Sequence, residues 1–158
     1  AGEAIGVLTA EREIPADVVV PGLGVRPNTA LARDAGVKIG VTGGIVTDMR
    51  MRTASHGNVW AAGDCVQTMN RVSSQPVHVP LGTHANKQGR VAGINIGGGY
   101  ATFPGVVGTA VTRVCSLEVA RTGLAEAEAE RAGLRYVSTL TESTAATSPI
   151  PSTWPVTI

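Results

Sequence analysis

Apolar positions along the chain fall into short runs, mostly of β-branched or small residues. Breaks bearing glycine or proline separate them. Residues 4–8 and 11–14 predict a short hairpin over Thr9 and Ala10. The run at 16–21 predicts a stronger strand, closed by Pro21, Gly22, Leu23 and Gly24. Asn28 or Thr29 can cap a short helix over 29–35, which Gly36 ends. Residues 37–39 alternate as an exposed edge strand would, and 43–48 predict another strand. Asn58 to Ala62 reads as a strand buried on both faces, broken by Gly63, with Asp64 at its carboxyl end. Residues 66–79 show no period and read as a loop. Pro80, Leu81 and Gly82 then open a helix to about Ile96. Its small residues Ala85, Gly89, Ala92, Gly93 and Ile96 recur at three- and four-residue steps. Each mid-helix glycine costs about 1 kcal/mol relative to alanine, so the stripe predicts close approach to another backbone or to a flat ligand.

Gly97, Gly98 and Gly99 end that helix and mark the best domain boundary. Beyond them the pattern predicts strands at 106–114 and 117–120, then a helix over 124–132 capped by Thr122 and stopped by Gly133. A further strand at 134–140 would complete a β-β-α-β unit, the opening of an α+β domain. The Pro/Ser/Thr-rich tail from Glu142 holds Pro149, Pro151 and Pro155, which exclude a helix or a central strand.

A strand that ends in glycine and then aspartate has a chemical reading. In open parallel α/β sheets ligands bind beyond the carboxyl ends of strands. Asp64 there offers an acceptor-only group suited to a ligand rich in hydroxyls, and Gly63 removes a Cβ that would hold that ligand away. A helix start supplies free N–H donors and about half a positive charge.

Composition narrows the classes. The 158 residues suffice for one good core or two smaller pieces. A net charge of +1 without a basic block, and five aromatic residues in all, give no footprint for nucleic acid. No apolar run reaches membrane-spanning length, and no charged-then-apolar leader opens the chain. Cys65 and Cys115 match no metal or redox spacing, so no metal site is expected, and a reducing cytoplasm is. An opening Ala-Gly-Glu without methionine suggests a partial chain.

The segments ADVVVPGLGVRPNT (16–29), GGIVTDMRMRT (43–53), NVWAAGDC (58–65) and VPLGTHANKQGRVAGINIGG (79–98) resemble the pyridine nucleotide-disulfide oxidoreductases. FPGVVGTAVTRV and RTGLAEAEAERAG extend the likeness to about residue 141. The branch it most resembles contains coenzyme A-disulfide reductases and NADH oxidases. The resemblance implies an α/β fold: a partial FAD-binding Rossmann-like domain followed by a truncated α+β dimerisation domain. It implies the end of an NAD(P)H-binding domain and its crossover over 1–24, the C-terminal part of the FAD domain over 25–99, and the interface domain over 103–158. It also implies that Asp64 hydrogen-bonds the ribityl chain of FAD, and that the helix from Leu81 points its N-terminus at the pyrimidine end of the flavin. Gly63, Asp64, Pro80, Leu81, Gly82, Thr83 and Ala85 are then the expected cofactor contacts. The intact parent would use NAD(P)H, form a homodimer and pass hydride through FAD to a disulfide of the coenzyme A type, or to dioxygen.

Three features of that family are missing from the text. No Gly-x-Gly-x-x-Gly follows a strand, and Cys65 does not match the family's redox cysteine. The tail departs from the family near Ser143, as a truncated gene or a frameshift would produce. The expectation is therefore a C-terminal fragment without catalytic residues of its own. The competing expectation is a non-catalytic remnant that dimerises or binds flavin weakly. Plainer roles are expected elsewhere: turns at Gly22 and Gly24, and a crossover fixed by Arg26 and Asn28. His56, His78 and His84 are isolated; His84, one turn into the flavin-side helix, is within reach of the ring, but a solvated or capping role is the expectation. Cys65 and Cys115 read as small buried residues, and Glu126, Glu128 and Glu130 as a solvated helix face.

Overall fold

The computed structural model describes residues 4–144 and 155–157. Its elements are β1 (Gly6–Leu8), β2 (Glu13–Pro15), α1 (Ala30–Asp34), β3 (Ile45–Val46), β4 (Val66–Met69), β5 (Pro76–Val77), α2 (Gly82–Ile96), β6 (Ala110–Val114), β7 (Leu117–Arg121), α3 (Glu126–Arg131), β8 (Glu142–Thr144) and β9 (Pro155–Thr157). The architecture is mixed α/β. Strands β3, β4 and β5 form a three-stranded sheet, parallel between β3 and β4 and antiparallel between β4 and β5. The pairs β1–β2, β6–β7 and β8–β9 are separate antiparallel ribbons.

The core gathers where α2 meets the sheet. Met51, Val66, Ala92, Phe103 and Val106 are buried together, with Ala61, Ala62, Val77 and Val91 packed against them. A strap at 103–106 closes this core. The Phe103 N–H donates to the Met49 carbonyl at 2.7 Å, and the Val106 N–H donates to that of Met69 at 2.9 Å. Gly105 makes the strap possible. It holds φ +102, and a Cβ there would overlap the Met69 carbonyl oxygen.

Two buried carboxamides position α2. Asn95, 5% exposed, shares its NH2 among the carbonyls of Val91, Ala101 and Arg50 at 2.8–3.2 Å. Its Oδ1 accepts from Arg50 Nε at 3.0 Å and from the Ala101 N–H at 3.3 Å. Every polar atom of this buried group is thereby satisfied, as a group away from water requires. The loop that supplies Arg50 is a tight turn organised by Asp48, whose Oδ1 accepts from the Arg50 and Arg52 N–H groups.

Several sequence expectations hold. The first hairpin forms, α1 stops at Gly36 with φ +72, and α2 ends at the glycine run. Others do not. Residues 16–21 are not a strand: Val18 and Val20 are 77% and 84% exposed, and no ladder pairs them. Residues 58–62 form no strand: Asn58 lies in a turn and the segment bridges only at Trp60, bonded on one side to Met51 and Thr53. Residues 37–39 contribute a single bridge, Ile39 with Ile45. The loop expected at 66–79 is the hairpin β4–β5. Its turn is built by Asn70, whose Oδ1 accepts from the Val72 and Ser73 N–H groups. The ribbon strand begins at Ala110 rather than 106, because the strap captures Val106 in a bridge to Asn70.

Helix α3 starts at Ala125, not Thr122. Glu128 reaches back to accept from the Ala125 N–H at 2.7 Å, while Thr122 pairs its hydroxyl with that of Thr109. Residues 134–140 form no strand, since no ladder pairs them among the described residues, and Val137 is 98% exposed. The small stripe on α2 divides: Ala92 joins the core and Ala85 lies under the Gly63 turn. Gln88, Ala92 and Asn95 are buried, whereas Gly89 and Gly93 face open space. The tail expectations at 145–154 and 158 lie outside the described residues.

Replacing Asn95 by alanine should destabilise the fold by about 2–4 kcal/mol, because three carbonyls lose a donor together. Urea unfolding followed by far-UV circular dichroism measures it. A midpoint within error of the wild type would show that the network carries no such energy.

Candidate functional site

The expected contacts assemble at one place. Gly63 adopts φ +87, which turns the chain sharply after the segment bridged at Trp60 and leaves Asp64 on the surface. The Gly63 N–H donates to Gln88 Oε1 at 2.8 Å. A Cβ on Gly63 would lie 3.6 Å from that of Ala85, so the turn sits directly over the first turns of α2. From the other side His78 Nε2 donates to the Asp64 carbonyl at 2.7 Å. Among the described residues no group donates to the Asp64 carboxylate, which stands exposed as an unused acceptor.

The start of α2 completes the arrangement. Leu81 is its N-cap, with extended dihedrals and no side-chain capping bond. Its carbonyl accepts from the His84 and Ala85 N–H groups at 2.9 and 3.0 Å. The N–H groups of Gly82 and Thr83 have no acceptor among the described residues, and both residues are exposed. Pro80 and Leu81 are half-buried beneath them. No carboxylate occupies the first turn of the helix. An acceptor and a set of donors thus lie side by side on an open shelf. A cleft of about 530 Å³ shares no lining residue with this shelf. It lies among Thr47, Asp48, Met51, Met69 and Phe103.

Gln88 and His78 are the residues that sequence reasoning missed. Gln88 is 3% exposed, and the signal available was a polar residue three positions after Ala85 on a helix with few large apolar residues. His78 offers no pattern, since its partner is a backbone carbonyl 14 residues away. His84, expected to be solvated or capping, packs edge-on against Phe103 with ring centroids 6.4 Å apart. Its Nδ1 is buried and finds no partner. Burial holds its imidazole below the ordinary histidine value; the charge on Lys87 adds to this, and the Val79 backbone opposes it. Cys65 is half-buried, but Cys115 is exposed at the β6–β7 turn, with φ 54. Glu128 is not merely solvated. The Arg121 side chain, bonded to it, and the Ala125 N–H hold its carboxyl below the usual range.

Residues 2–89 match the family model for pyridine nucleotide-disulphide oxidoreductases. The chain belongs to that family. It is 45% identical over 127 residues to an NAD(P)H sulfur oxidoreductase (CoA-dependent) of Pyrococcus furiosus, covering 80% of this chain and 28% of that protein. It superposes on a NAD-dependent persulfide reductase from A. fulgidus with TM-score 0.83 and 42% identity. That match covers 94% of this chain and 28% of the other. A FAD-dependent pyridine nucleotide-disulphide oxidoreductase from Desulfovibrio vulgaris gives TM-score 0.73 at 40% identity, covering 89% of this chain and 34% of that one. The chain therefore spans 28–34% of the length of these three relatives.

Two absences are specific. Among the described residues no helix is long and apolar enough to cross a membrane. Nor does any group of three or more histidine, cysteine or acidic residues there suit a metal ion.

The lowered His84 value sets a sign. The unfolded chain binds that proton more tightly than the folded one, so the His84 contribution is complete above the ordinary value of 6.5. It is lost as pH falls below that value. Urea unfolding at pH 7.5 and 5.5 should show the loss in the wild type and a smaller one in His84→Gln. An equal loss in both would assign it to other groups.

Proposed function

We propose that this chain supplies one wall of the FAD pocket in an oxidoreductase that moves hydride from NAD(P)H through flavin to a sulfur–sulfur acceptor. The observation that carries the reading is the shelf: Asp64 held beside the open amino end of α2. The donor set fits the cofactor. The Asp64 carboxylate suits the hydroxyls of a ribityl chain, and the free N–H groups of Gly82 and Thr83 suit an electron-rich carbonyl edge. Gly63, Pro80, Leu81 and Ala85 shape the surface between them.

Bound FAD would supply reversible two-electron chemistry, which protein side chains lack. This chain's residues would bind and orient it. The field at the α2 amino end favours negative charge where that charge grows during hydride uptake. The family membership and the sulfur-linked relatives support an acceptor of the persulfide or coenzyme A disulfide class. On this reading residues 1–24 close an NAD(P)H domain, 25–99 belong to the FAD domain, and 103–158 begin an interface domain.

The exposed apolar side chains on one face of the β6–β7 ribbon favour a second role, self-association. Val114 opposes Leu117, and Val119 lies on the same face; the three are 47–62% exposed.

The purified chain titrated with FAD should quench flavin fluorescence, and Asp64→Ala should weaken that binding by about ten- to a hundredfold. No turnover of NAD(P)H is expected from the chain alone. Wild-type protein that leaves flavin fluorescence unchanged would defeat the reading. Leu117→Lys should lower the apparent mass in sedimentation velocity if the ribbon mediates association. A wild type already monomeric would remove the second role.

A further inference from the structure

We infer that Gln88 is the positioning residue of the flavin shelf: through the Gly63 amide it sets where the Asp64 carboxylate stands. The inference rests on the proposed flavin reading and deepens it. The Gly63 N–H can only donate, so the carboxamide must present Oε1 to it, and the 2.8 Å contact fixes the side chain's orientation. At 3% exposure Gln88 is buried where an unpaired amide is costly, so the bond is held rather than exchanged with water.

Backbone bonds shape the turn: the Val66 N–H donates to the Gly63 carbonyl at 3.1 Å and the Ile45 N–H to the Cys65 carbonyl at 2.8 Å. The segment before it has one bridged position, Trp60, and the Asp64 carboxylate accepts no hydrogen bond among the described residues. Gly63 has left-handed dihedrals, a conformation that gives the turn no stiffness in glycine. To these the bond from Gly63 to Gln88 and the bond from His78 to the Asp64 carbonyl add the two side-chain tethers that reach the turn from outside it. Of these, only Gln88 belongs to α2, whose first turn carries the free donors about one and a half turns earlier. One helix thus presents the donors at Gly82 and Thr83 and, through Gln88, locates the acceptor at Asp64. The distance between the two halves of the shelf becomes a property of a rigid rod rather than of a loop.

The test uses the whole chain and two isosteric variants, Gln88→Met, which removes the acceptor, and Gln88→Glu, which keeps it. Amide hydrogen exchange by NMR reads the tether at Gly63 and the core at Val106, whose N–H is bonded to Met69. Flavin fluorescence and absorption read FAD binding. In Gln88→Met, Gly63 exchange should accelerate and FAD affinity fall, each by about tenfold, with Val106 unchanged. The bound flavin's absorption band should also shift towards that of free flavin. Gln88→Glu should restore all three readouts.

If Gln88→Met releases Gly63 yet binds FAD as the wild type does, the positioning role falls while the flavin reading stands. Equal acceleration at Val106 would reduce Gln88 to a packing residue and overturn the inference. Wild-type chain that binds no FAD removes the functional reading and this assignment together, even with Gly63 protected.

Discussion

Two buried carboxamides on one helix face carry the organisation of this chain. Gln88 and Asn95 lie seven residues apart, two turns of α2, and point to the same side. A helix with so many small residues has little apolar surface to drive its docking. Ala92 is the one hydrophobic residue on it that is fully buried. Directional bonds take over that role. Asn95 ties the carboxyl end of α2 to the 48–52 turn and to Ala101, and Gln88 ties its middle to the Gly63 turn. Hydrogen bonds contribute modestly when made and cost more when a buried group is left without one, so they specify a single docking pose better than oily contact does.

That arrangement explains which parts of the fold were legible in the sequence. Helix α2 was visible because its end is punctuated by three glycines and its start by proline and glycine. The hairpin at β6–β7 and the stop of α3 at Gly133 were visible for similar local reasons. The strands at 16–21 and 134–140 failed together and for one cause, while 58–62 found a neighbour on one side only. Composition says that a segment can pair; only a neighbour makes it a strand. Val18, Val20 and Val137 have the right chemistry and no ladder partner among the described residues, and they stay exposed. The β4–β5 hairpin erred in the opposite direction. Its turn is made by the Asn70 side chain and a positive φ at Ser74, which no periodicity records.

The candidate site was legible as a list of residues, not as a mechanism of support. Asp64 and the start of α2 could be named from the resemblance to a family. What brings them together could not, because Gln88 and His78 reach backbone atoms rather than side chains. A backbone partner leaves no mark in the sequence. The small stripe of α2 was legible as a pattern, but only Ala85 and Ala92 of it face another part of the described chain. Gly89 and Gly93 look outward, while the packed face is polar at two of its three buried positions.

The strap at 103–106 separates the grammar of the chain from its mechanics. The glycine run at 97–99 is where the text breaks, yet Phe103 and Val106 are two of the five residues in the buried cluster. The cooperative unit must therefore run through Val106, several residues past the obvious seam. A protease nicking the glycines would leave both products short of a finished interior, and a recombinant boundary drawn at that seam would inherit the same defect.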